Sequence, residues 1–320
     1  MRYYDITLTA SDGTLVREWT SYPILGTSGS NPTGTFDPGA QNVIFDFPMA
    51  PYAEAMGFVG LTIEGVGLDT LYEASNFVGL TITVKGGMGK GLPLAHPEQA
   101  GVLLIGSVFQ AFGNWEGTDM RLELVITNSP YAYDLENRIL FNWPAGTPLS
   151  SALSTCFSTY FPTFQSVVNI GAIVLNHTES GHYRTLEGLA RTLYEMTGVS
   201  ISIVGNQIIA YDGSKPPTAI LLDFNDFIGQ PTWIAPGTIQ IKLVMRADLN
   251  FTSVVQMPKD ISNVPGFVVK TQASYASVLK YKTAFQHNFQ VNQVRHLGSF
   301  RSPDARDWVT IINAFTSDAT

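Results

Sequence analysis

The stretch GQPTWIAPGTIQIKLVMRADLN, residues 229–250, decides the fold because it joins a segment rich in proline and glycine to an apolar strand. Proline fixes φ and removes a ladder donor, so Pro231 and Pro236 mark where a strand begins. Beyond them, polar and apolar residues alternate with the period of two that is typical of a half-buried strand. One predicted face carries Ile239, Ile241, Leu243 and Met245, and the other carries Gln240, Lys242 and Arg246.

The same period of two dominates the first 130 residues. Turn clusters such as TSGSNPTGTFDPG separate the alternating segments, and the faces between the apolar residues carry Thr, Glu, Arg and Lys. This pattern predicts antiparallel strands with one buried face. The apolar faces are Tyr4, Ile6 and Leu8; Leu61 and Ile63; Leu80, Ile82 and Val84; and Leu122, Leu124 and Ile126.

The middle of the chain has helical spacing instead. The segment GTPLSSALSTCFSTYF, residues 146–161, predicts a helix with Thr147 as N-cap and Pro148 in its first turn. A second helix is predicted from Thr185 to Thr197, ended by Gly198. A hairpin that turns at residues 205 and 206 follows it. Two helices and a hairpin predict a small α+β module between β-rich flanks.

Two segments far apart in the chain share one plan. AFGNWEGTDMRLELVITN, residues 111–128, and LGSFRSPDARDWVTIINAF, residues 297–315, each run from an aromatic residue through a polar turn to an apolar strand. The echo predicts two β-barrels of similar plan in one chain. The predicted domains are a first barrel at 1–132, completed by 214–228, the α+β module at 133–213, and a second barrel at 229–320.

Few residues of the chain are charged. Charged residues make up 14% of its 320 residues and the mean hydropathy is +0.11, whereas a typical soluble domain has about 25% charged residues. A membrane span does not account for this, since the most apolar stretch, residues 101–113, is interrupted by Ser107 and Gln110 and is too short. The N-terminus alternates as a strand, so we expect no signal peptide and a cytosolic site of synthesis. We therefore expect a subunit whose surface is covered in an assembly rather than mere hydrophobic excess.

The net charge of −8 argues against electrostatic nucleic-acid binding and suits a surface along which DNA slides. The lone Cys156 excludes disulfides within the chain and lies on an apolar helical stripe, so a packed thiol is expected. KGGMGKG, residues 85–91, lacks the first glycine and the Ser or Thr of a phosphate loop, which favours a hairpin loop. Catalytic, cofactor and metal sites are accordingly predicted to be absent.

Three sets of residues leave alternatives open. His177, Glu179 and His182 are close in sequence but not at the spacing of a helical metal site, so a polar loop is expected and a loop-borne metal site stays open. Acidic residues distant in sequence can still form a hydrolase pair. The candidates are Glu54, Glu64, Asp119 and Asp226. Tryptophans can stack sugars or bases, but are expected in the core or at subunit contacts; they are Trp19, Trp115, Trp143 and Trp233.

Three segments carry a resemblance to a known family: FNWPAGTPLSSALSTCFSTYFP, residues 141–162; TLEGLARTLYEMTGVSISIVGNQIIAYDG, residues 185–213; and DFNDFIGQPTWIAPGTIQIKLVMRADLNFTSVVQMP, residues 223–258. In motif content and module order the chain resembles the central hub of bacteriophage baseplates, found in contractile tails and related to the N-terminal part of type VI secretion spikes. The resemblance implies a mainly β fold with a small α+β module and two tail-tube-like antiparallel β-barrel domains. Whether this tail contracts stays open.

The resemblance also implies the function and the partners. Such hubs are homotrimers that join a sixfold tail tube to a threefold spike and let genomic DNA pass without specific binding. Expected partners are further copies of the chain, the tail tube protein, the spike protein, and the tape-measure and baseplate wedge proteins. The expected location is the virion tail baseplate, after assembly in the host cytoplasm.

The resemblance implies no enzyme and no cofactor. The alternatives are a tail-tip cell-wall or polysaccharide hydrolase and a carbohydrate-binding tail appendage. Residues 67–78 are apolar and rich in turn residues, which predicts a contact with a neighbouring subunit. The expected interface residues are Leu71, Tyr72, Phe77, Lys242 and Arg246.

Overall fold

The alternating segments of the first half form the strands that their pattern predicts. The computed structural model describes residues 2–22, 36–49, 51, 59–89, 99–127, 138–162, 164–204, 207–258 and 288–316. The strands in the first half of this part are β1 Arg2–Thr9, β2 Leu15–Thr20, β3 Asn42–Met49, β4 Val59–Glu64, β5 Thr81–Met88, β6 Gly101–Glu116 and β7 Asp119–Thr127. The predicted inward residues of these strands are buried except Leu80, which precedes β5 and is half-buried.

A short helix lies over two of these strands. Helix α1, Leu68–Glu73, continues into a 3-10 turn at Ala74–Phe77 and packs on β6 and β7. Leu71 lies so close to Gly113 of β6 that a Cβ on Gly113 would come within 2.8 Å of the leucine side chain. Glycine at this position therefore lets the helix approach the strand.

The middle of the chain is the predicted α+β module. Its elements are β8 Ile139–Trp143, α2 Leu149–Tyr160, β9 Gln165–Asn169, β10 Glu179–Tyr183, α3 Leu186–Thr197, β11 Ser200–Val204 and β12 Gln207–Tyr211. Strand β12 pairs with β11 and β9, and β10 pairs with β8. The predicted hairpin is formed by β11 and β12, while its turn at residues 205 and 206 lies outside the described residues.

The two helices differ in how they begin. Thr185 caps α3 because its hydroxyl accepts a hydrogen bond from the Gly188 amide, and Gly198 ends the helix in the left-handed region at φ 74°. The sequence predicted Thr147 as the N-cap of helix α2, but Thr147 does not occupy that position. Pro148 occupies that position in an extended conformation, because Pro148 forms a β-bridge with Val174 and the Thr147 carbonyl accepts from the Leu175 amide.

The last part of the described chain returns to strands: β13 Ile220–Leu221, β14 Thr232–Ala235, β15 Thr238–Val244, β16 Val254–Gln256, β17 Asn288–Ser299 and β18 Trp308–Thr316. The segment 214–228 was expected to complete the first domain, but β13 pairs with β16 and Leu222 packs in the core around β15. Leu222 is therefore buried with the second half of the chain, and Ile220 and Phe227 pack against the same core. The domain bounds themselves stay a prediction.

Most of these strands belong to one large sheet. Among the described residues it has 13 strands, 11 of them in the order β14-β15-β18-β17-β3-β4-β7-β6-β5-β1-β2. Every pairing along this path is antiparallel, so the mainly β fold with a small α+β module is confirmed. None of the helices in the described part is long and apolar enough to cross a membrane.

A four-strand order occurs twice in this sheet. In the first half it is β3-β4-β7-β6, and in the second half it is β14-β15-β18-β17. In both, the second strand of one hairpin pairs with the second strand of another hairpin. The segments that echo each other in the sequence are the hairpins β6–β7 and β17–β18, so the sequence echo corresponds to a structural repeat.

Candidate assembly surface

The two repeats are joined edge to edge within the chain. Strand β17 pairs with β3 from Val294–Met49 to Ser299–Ile44. We call this pairing the internal joint. The Phe45 ring covers Gly298 closely, since a Cβ on Gly298 would lie 2.3 Å from two of the ring carbons. Phe45 also stacks on Phe47 at a centroid distance of 4.5 Å and meets Trp308 edge-on.

Two arginines close the internal joint at one end. Arg2 donates to the carbonyls of Ser299, Phe300 and Ser302 at 2.6, 3.1 and 2.6 Å, and also to that of Asp304. Arg301 donates to the carbonyls of Pro38 and Ala40 from the opposite side of the joint. The turn between β17 and β18 and the approach to β3 are thus held by charge-assisted hydrogen bonds. We call this pair of contacts the arginine clasp.

A buried ion-pair network also links the two halves of the chain. Arg246 is 3% exposed and donates to Asp226 at 3.0 Å and through Nε to Asp248 at 2.7 Å. Gln99, from the first half of the chain, donates to Asp226 at 3.1 Å, and its carbonyl accepts from the Ala247 amide at 2.7 Å. The network therefore links the segment before β6 to the segment after β15.

His296 lies in the middle of the internal joint. It pairs with Phe47 across the joint and with Thr310 on β18, whose hydroxyl is 3.0 Å from its Nδ1. Burial lowers the pKa of His296 from 6.5 to about 4, and the carboxylate of Asp248 opposes this effect only in part. The imidazole is therefore neutral at pH 7.

This low pKa makes a prediction about acid stability. Because the folded pKa lies below the ordinary value, the unfolded chain takes up the proton first as the pH falls, and stability is present above about pH 6.5 and lost toward pH 4. We expect His296 to remove about 2 kcal/mol of unfolding free energy between pH 7 and pH 5. Urea unfolding at both pH values checks this, with His296→Asn as the comparison. An equal loss in the variant would contradict the assignment to His296.

The face of the sheet opposite the cores carries the polar and charged side chains of its strands, together with apolar residues such as Ile44, Val125 and Ile311. In the eight strands of the two repeats, hydrogen bonds between strands connect Asn42 with Glu64 at 2.8 Å, Asn114 with Glu123 at 2.8 Å, and Gln240 with Asn313 at 3.1 Å. By strand alternation, five carboxylates and three cations lie on this face, a net charge of −2. They are Asp46, Glu64, Glu116, Asp119 and Glu123, and Arg121, Lys242 and Arg295.

Large apolar side chains are exposed on several strands of the sheet, including Leu15 and Val16 of the terminal strand β2, at 53% and 46%. On β6, Phe112 is 41% and Trp115 is 61% exposed. On β14, the other terminal strand of the path, Ile234 is 50% exposed, and Phe315 of β18, two strands away, is 43% exposed. Apolar residues at sheet edges favour pairing with another chain.

The five expected interface residues differ in how far they are exposed within the chain. Tyr72 is 81% exposed on α1, and Leu71 beside it packs on the core. Phe77 is 2% exposed and its ring packs edge-on against Trp19, so within the chain it belongs to the core. Lys242 is half-buried on the polar face of β15.

Strand alternation also predicted the wrong direction for the Arg246 side chain. The sequence predicted it on the polar face with Gln240 and Lys242, but β15 ends at Val244, and beyond that point Arg246 turns inward to Asp226 and Asp248. Its charge is buried because two carboxylates compensate it. The apolar face of the same strand is as predicted, with Ile239, Ile241, Leu243 and Met245 at 0% exposure.

The structure separates the residues considered for chemistry. Glu179 contacts His177 at 2.8 Å, but alternation in β10 puts His182 on the opposite face from Glu179. In the described residues no three His, Cys, Asp or Glu side chains are grouped to hold a metal. Cys156 is buried, and burial raises the pKa of its thiol to about 11, as expected for a packed cysteine.

The remaining candidates also have structural places. Lys85–Met88 lies in β5 and not in a loop, because β5 pairs with both β1 and β6, while 90 and 91 lie outside the described residues. Glu64 and Asp226 are engaged by Asn42 and Arg246, Asp119 opens β7, and Glu54 lies outside the described residues. Trp19 and Trp143 are buried, whereas Trp115 and Trp233 are exposed at 61% and 40%.

Sequence reasoning missed the second half of β6 and the residues of the internal joint. Phe112 and Trp115 fall in the echoing segment, and β6, which ends at Glu116, extends nine positions beyond the last β5 partner, Ser107. That excess length is the signal that could have identified a strand reaching beyond its neighbour. No pattern in sequence pairs Arg295 with Asp46, which are far apart in the chain.

Comparisons with known proteins identify the fold. No family model matches the chain, and no curated protein matches its sequence. The structure is similar to a 43 kDa tail protein of prophage MuSo2 from Shewanella oneidensis, with TM-score 0.53, 10% identity and coverage of 99% of this chain and 98% of that one. It is similar to a tail protein from Neisseria meningitidis MC58, with TM-score 0.50, 10% identity and coverage of 99% and 96%.

A third similar structure belongs to a secretion system. It is the E. coli c3393 protein, a type VI secretion component with structural similarity to the T4 phage tail proteins gp27 and gp5. The TM-score is 0.52 at 8% identity, and the match covers 86% of this chain and 73% of that one. The chain thus has the fold of phage tail proteins and of a type VI secretion component related to them, and this confirms the resemblance that the sequence indicated.

Proposed function

We propose that this chain is the structural hub of a phage tail baseplate. Three copies form a homotrimeric ring in the virion tail, which joins a sixfold tail tube to a threefold spike and lets DNA pass. The tail tube and spike proteins are its direct partners, and tape-measure and wedge proteins are further neighbours. The fold shared with tail proteins supports this role.

One observation carries the proposal: the four-strand order occurs twice in one chain, and the two occurrences share a sheet. Three copies of a chain with two similar units present six units around an axis but only three chains. Closed rings of identical chains form through head-to-tail contacts when the rotation closes. The six repeated units of such a ring match the symmetry of a sixfold partner. Its three α+β modules match the symmetry of a threefold partner.

The polar sheet face supports the passage of DNA. The face has a net charge of −2, and its side-chain amides are engaged in hydrogen bonds between strands. Its strands therefore present no cluster of cations that could hold phosphates. Because nucleic-acid affinity depends on phosphate neutralisation by Lys and Arg, a mildly acidic lining lets DNA slide without binding.

The pairing of buried carboxylates with cations supports a structural role rather than an enzymatic one. Asp5 is bound by Lys85 at 3.1 Å and Asp226 by Arg246 at 3.0 Å. Both carboxylates are therefore compensated within the fold. A catalytic carboxylate, by contrast, must be within reach of its substrate.

The mass in solution tests the proposal. We expect the purified chain to have the mass of three copies of 34.9 kDa in light scattering, and its complex with the spike protein to contain three copies of the chain. A chain that stays monomeric with and without the spike protein contradicts the hub.

A further inference from the structure

We infer that neighbouring copies join through the second half of β6 of one copy and β14 of the next, in the register of the internal joint. This inference rests on the proposed ring and gives its contact at the level of residues. The internal joint is then the template of the contact between copies. The ring becomes one sheet in which joints within chains alternate with joints between chains.

The two repeats can be aligned residue by residue because their irregularities coincide. In hairpin β6–β7 the register shifts between Val108 and Gln110, and in β17–β18 it shifts between Val291 and Gln293. Val108 and Val291 are both buried on the core face. Placing the two bulges together matches Asn114 with Leu297.

The partner strands align in the same way. Asp46 of β3 pairs with Gly60 of β4, and Thr232 of β14 pairs with Gln240 of β15. Gly60 lies opposite Val125 of β7, and Gln240 lies opposite Asn313 of β18. Val125 and Asn313 are equivalent positions, because each belongs to the first residue pair after the bulge. Thr232 therefore corresponds to Asp46.

The correspondence transfers the register of the internal joint to the contact between copies. Within the chain, Leu297 lies opposite Asp46. Between copies, Asn114 accordingly lies opposite Thr232 of the next copy, in an antiparallel pair. The neighbouring Phe112 and Ile234, which are 41% and 50% exposed, then approach each other across the same contact.

Both strands have an edge that suits this contact. Strand β5 pairs with β6 only as far as Ser107, and beyond it the described residues place no strand beside Gln110–Glu116 on the side away from β7. Strand β14 is one of the two terminal strands of the sheet path and is only four residues long. Exposed strand edges with apolar side chains recruit a further strand.

The contact between copies differs from the internal joint in one respect. The turn between β17 and β18 is long and carries Arg301 of the arginine clasp, whereas β6 and β7 are joined by Gly117 and Thr118 alone. No equivalent clasp can form from so short a turn. Apolar side chains at the edges replace it, which accounts for the exposed Phe112, Trp115 and Ile234.

Disulfide cross-linking tests the register. The variant Asn114→Cys with Thr232→Cys places thiols on directly opposite residues, whose Cα atoms in an antiparallel pair are about 4.5–5.5 Å apart, within the range of a disulfide. After copper–phenanthroline oxidation of the full chain under conditions of assembly, we expect covalent dimers and trimers on a non-reducing gel. The native Cys156 is buried and stays unreactive.

Matched controls and mass measurements separate the outcomes. Asn114→Cys alone, and Asn114→Cys with Leu140→Cys on the α+β module, are expected to give monomer bands only. A trimer in light scattering without cross-linking of the 114–232 pair overturns this register and leaves the hub intact. A chain that is monomeric with the spike protein overturns both.

Discussion

Replacing Arg246 by alanine is expected to lower the free energy of unfolding by about 3–5 kcal/mol. The guanidinium is 4% exposed and compensates Asp226, which is equally buried, and the less buried Asp248. Removing it leaves a carboxylate in the interior without its cation, which costs far more than the loss of an exposed pair. Urea unfolding followed by circular dichroism measures the change.

A matched control is available in the internal joint. Arg295 donates to Asp46 through the same kind of paired contact, at 2.7 Å from Nε, but both side chains are about half exposed. Arg295→Ala is therefore expected to cost less than about 1 kcal/mol. Equal losses in the two variants would show that burial is not what makes the Arg246 network important.

The variant Gly298→Val is expected to cost about 3 kcal/mol, at the upper end for an overpacked position. The first carbon of the new side chain would lie 2.3 Å from the Phe45 ring. The ring cannot withdraw easily because Phe47 and Trp308 hold it on two sides. The midpoint of urea unfolding reports the loss.

Gly60 supplies the control for this substitution. It also lies within a strand, on β4, but a Cβ there would meet nothing within 4 Å. Gly60→Val is expected to change stability by less than about 1 kcal/mol, since a β-branched residue suits an open strand position. If Phe45→Leu does not recover part of the loss in Gly298→Val, the clash with Phe45 is not its cause.

The strands and the two main helices could be predicted from local pattern because burial imposes a period on the sequence. Ile239, Ile241 and Leu243 alternate because one face of β15 packs inward, and Thr185 and Gly198 bound α3 through backbone groups nearby in sequence. The pairing of β17 with β3 depends on residues about 250 positions apart and leaves no local period. The continuous sheet was therefore beyond sequence reasoning.

The interface prediction was limited in the same way, because contacts between distant segments leave no local pattern in the sequence. Exposure of Tyr72 follows from its place in a short helix, but Phe77 in the same apolar segment is buried because a 3-10 turn directs it toward Trp19. Alternation placed Arg246 outside, and only the positions of Asp226 and Asp248 in space explain its burial. A charged residue just beyond a strand end carries no local sign of which way it turns.

The arginine clasp has a consequence for the speed of assembly. It closes one joint between residues of the same chain, so that joint forms at a high effective concentration during folding and does not wait for diffusion. For a ring of three copies, half of the six joints are already made when the first two copies collide. Bimolecular encounters are then needed only for the other three, which lowers the protein concentration at which rings can close.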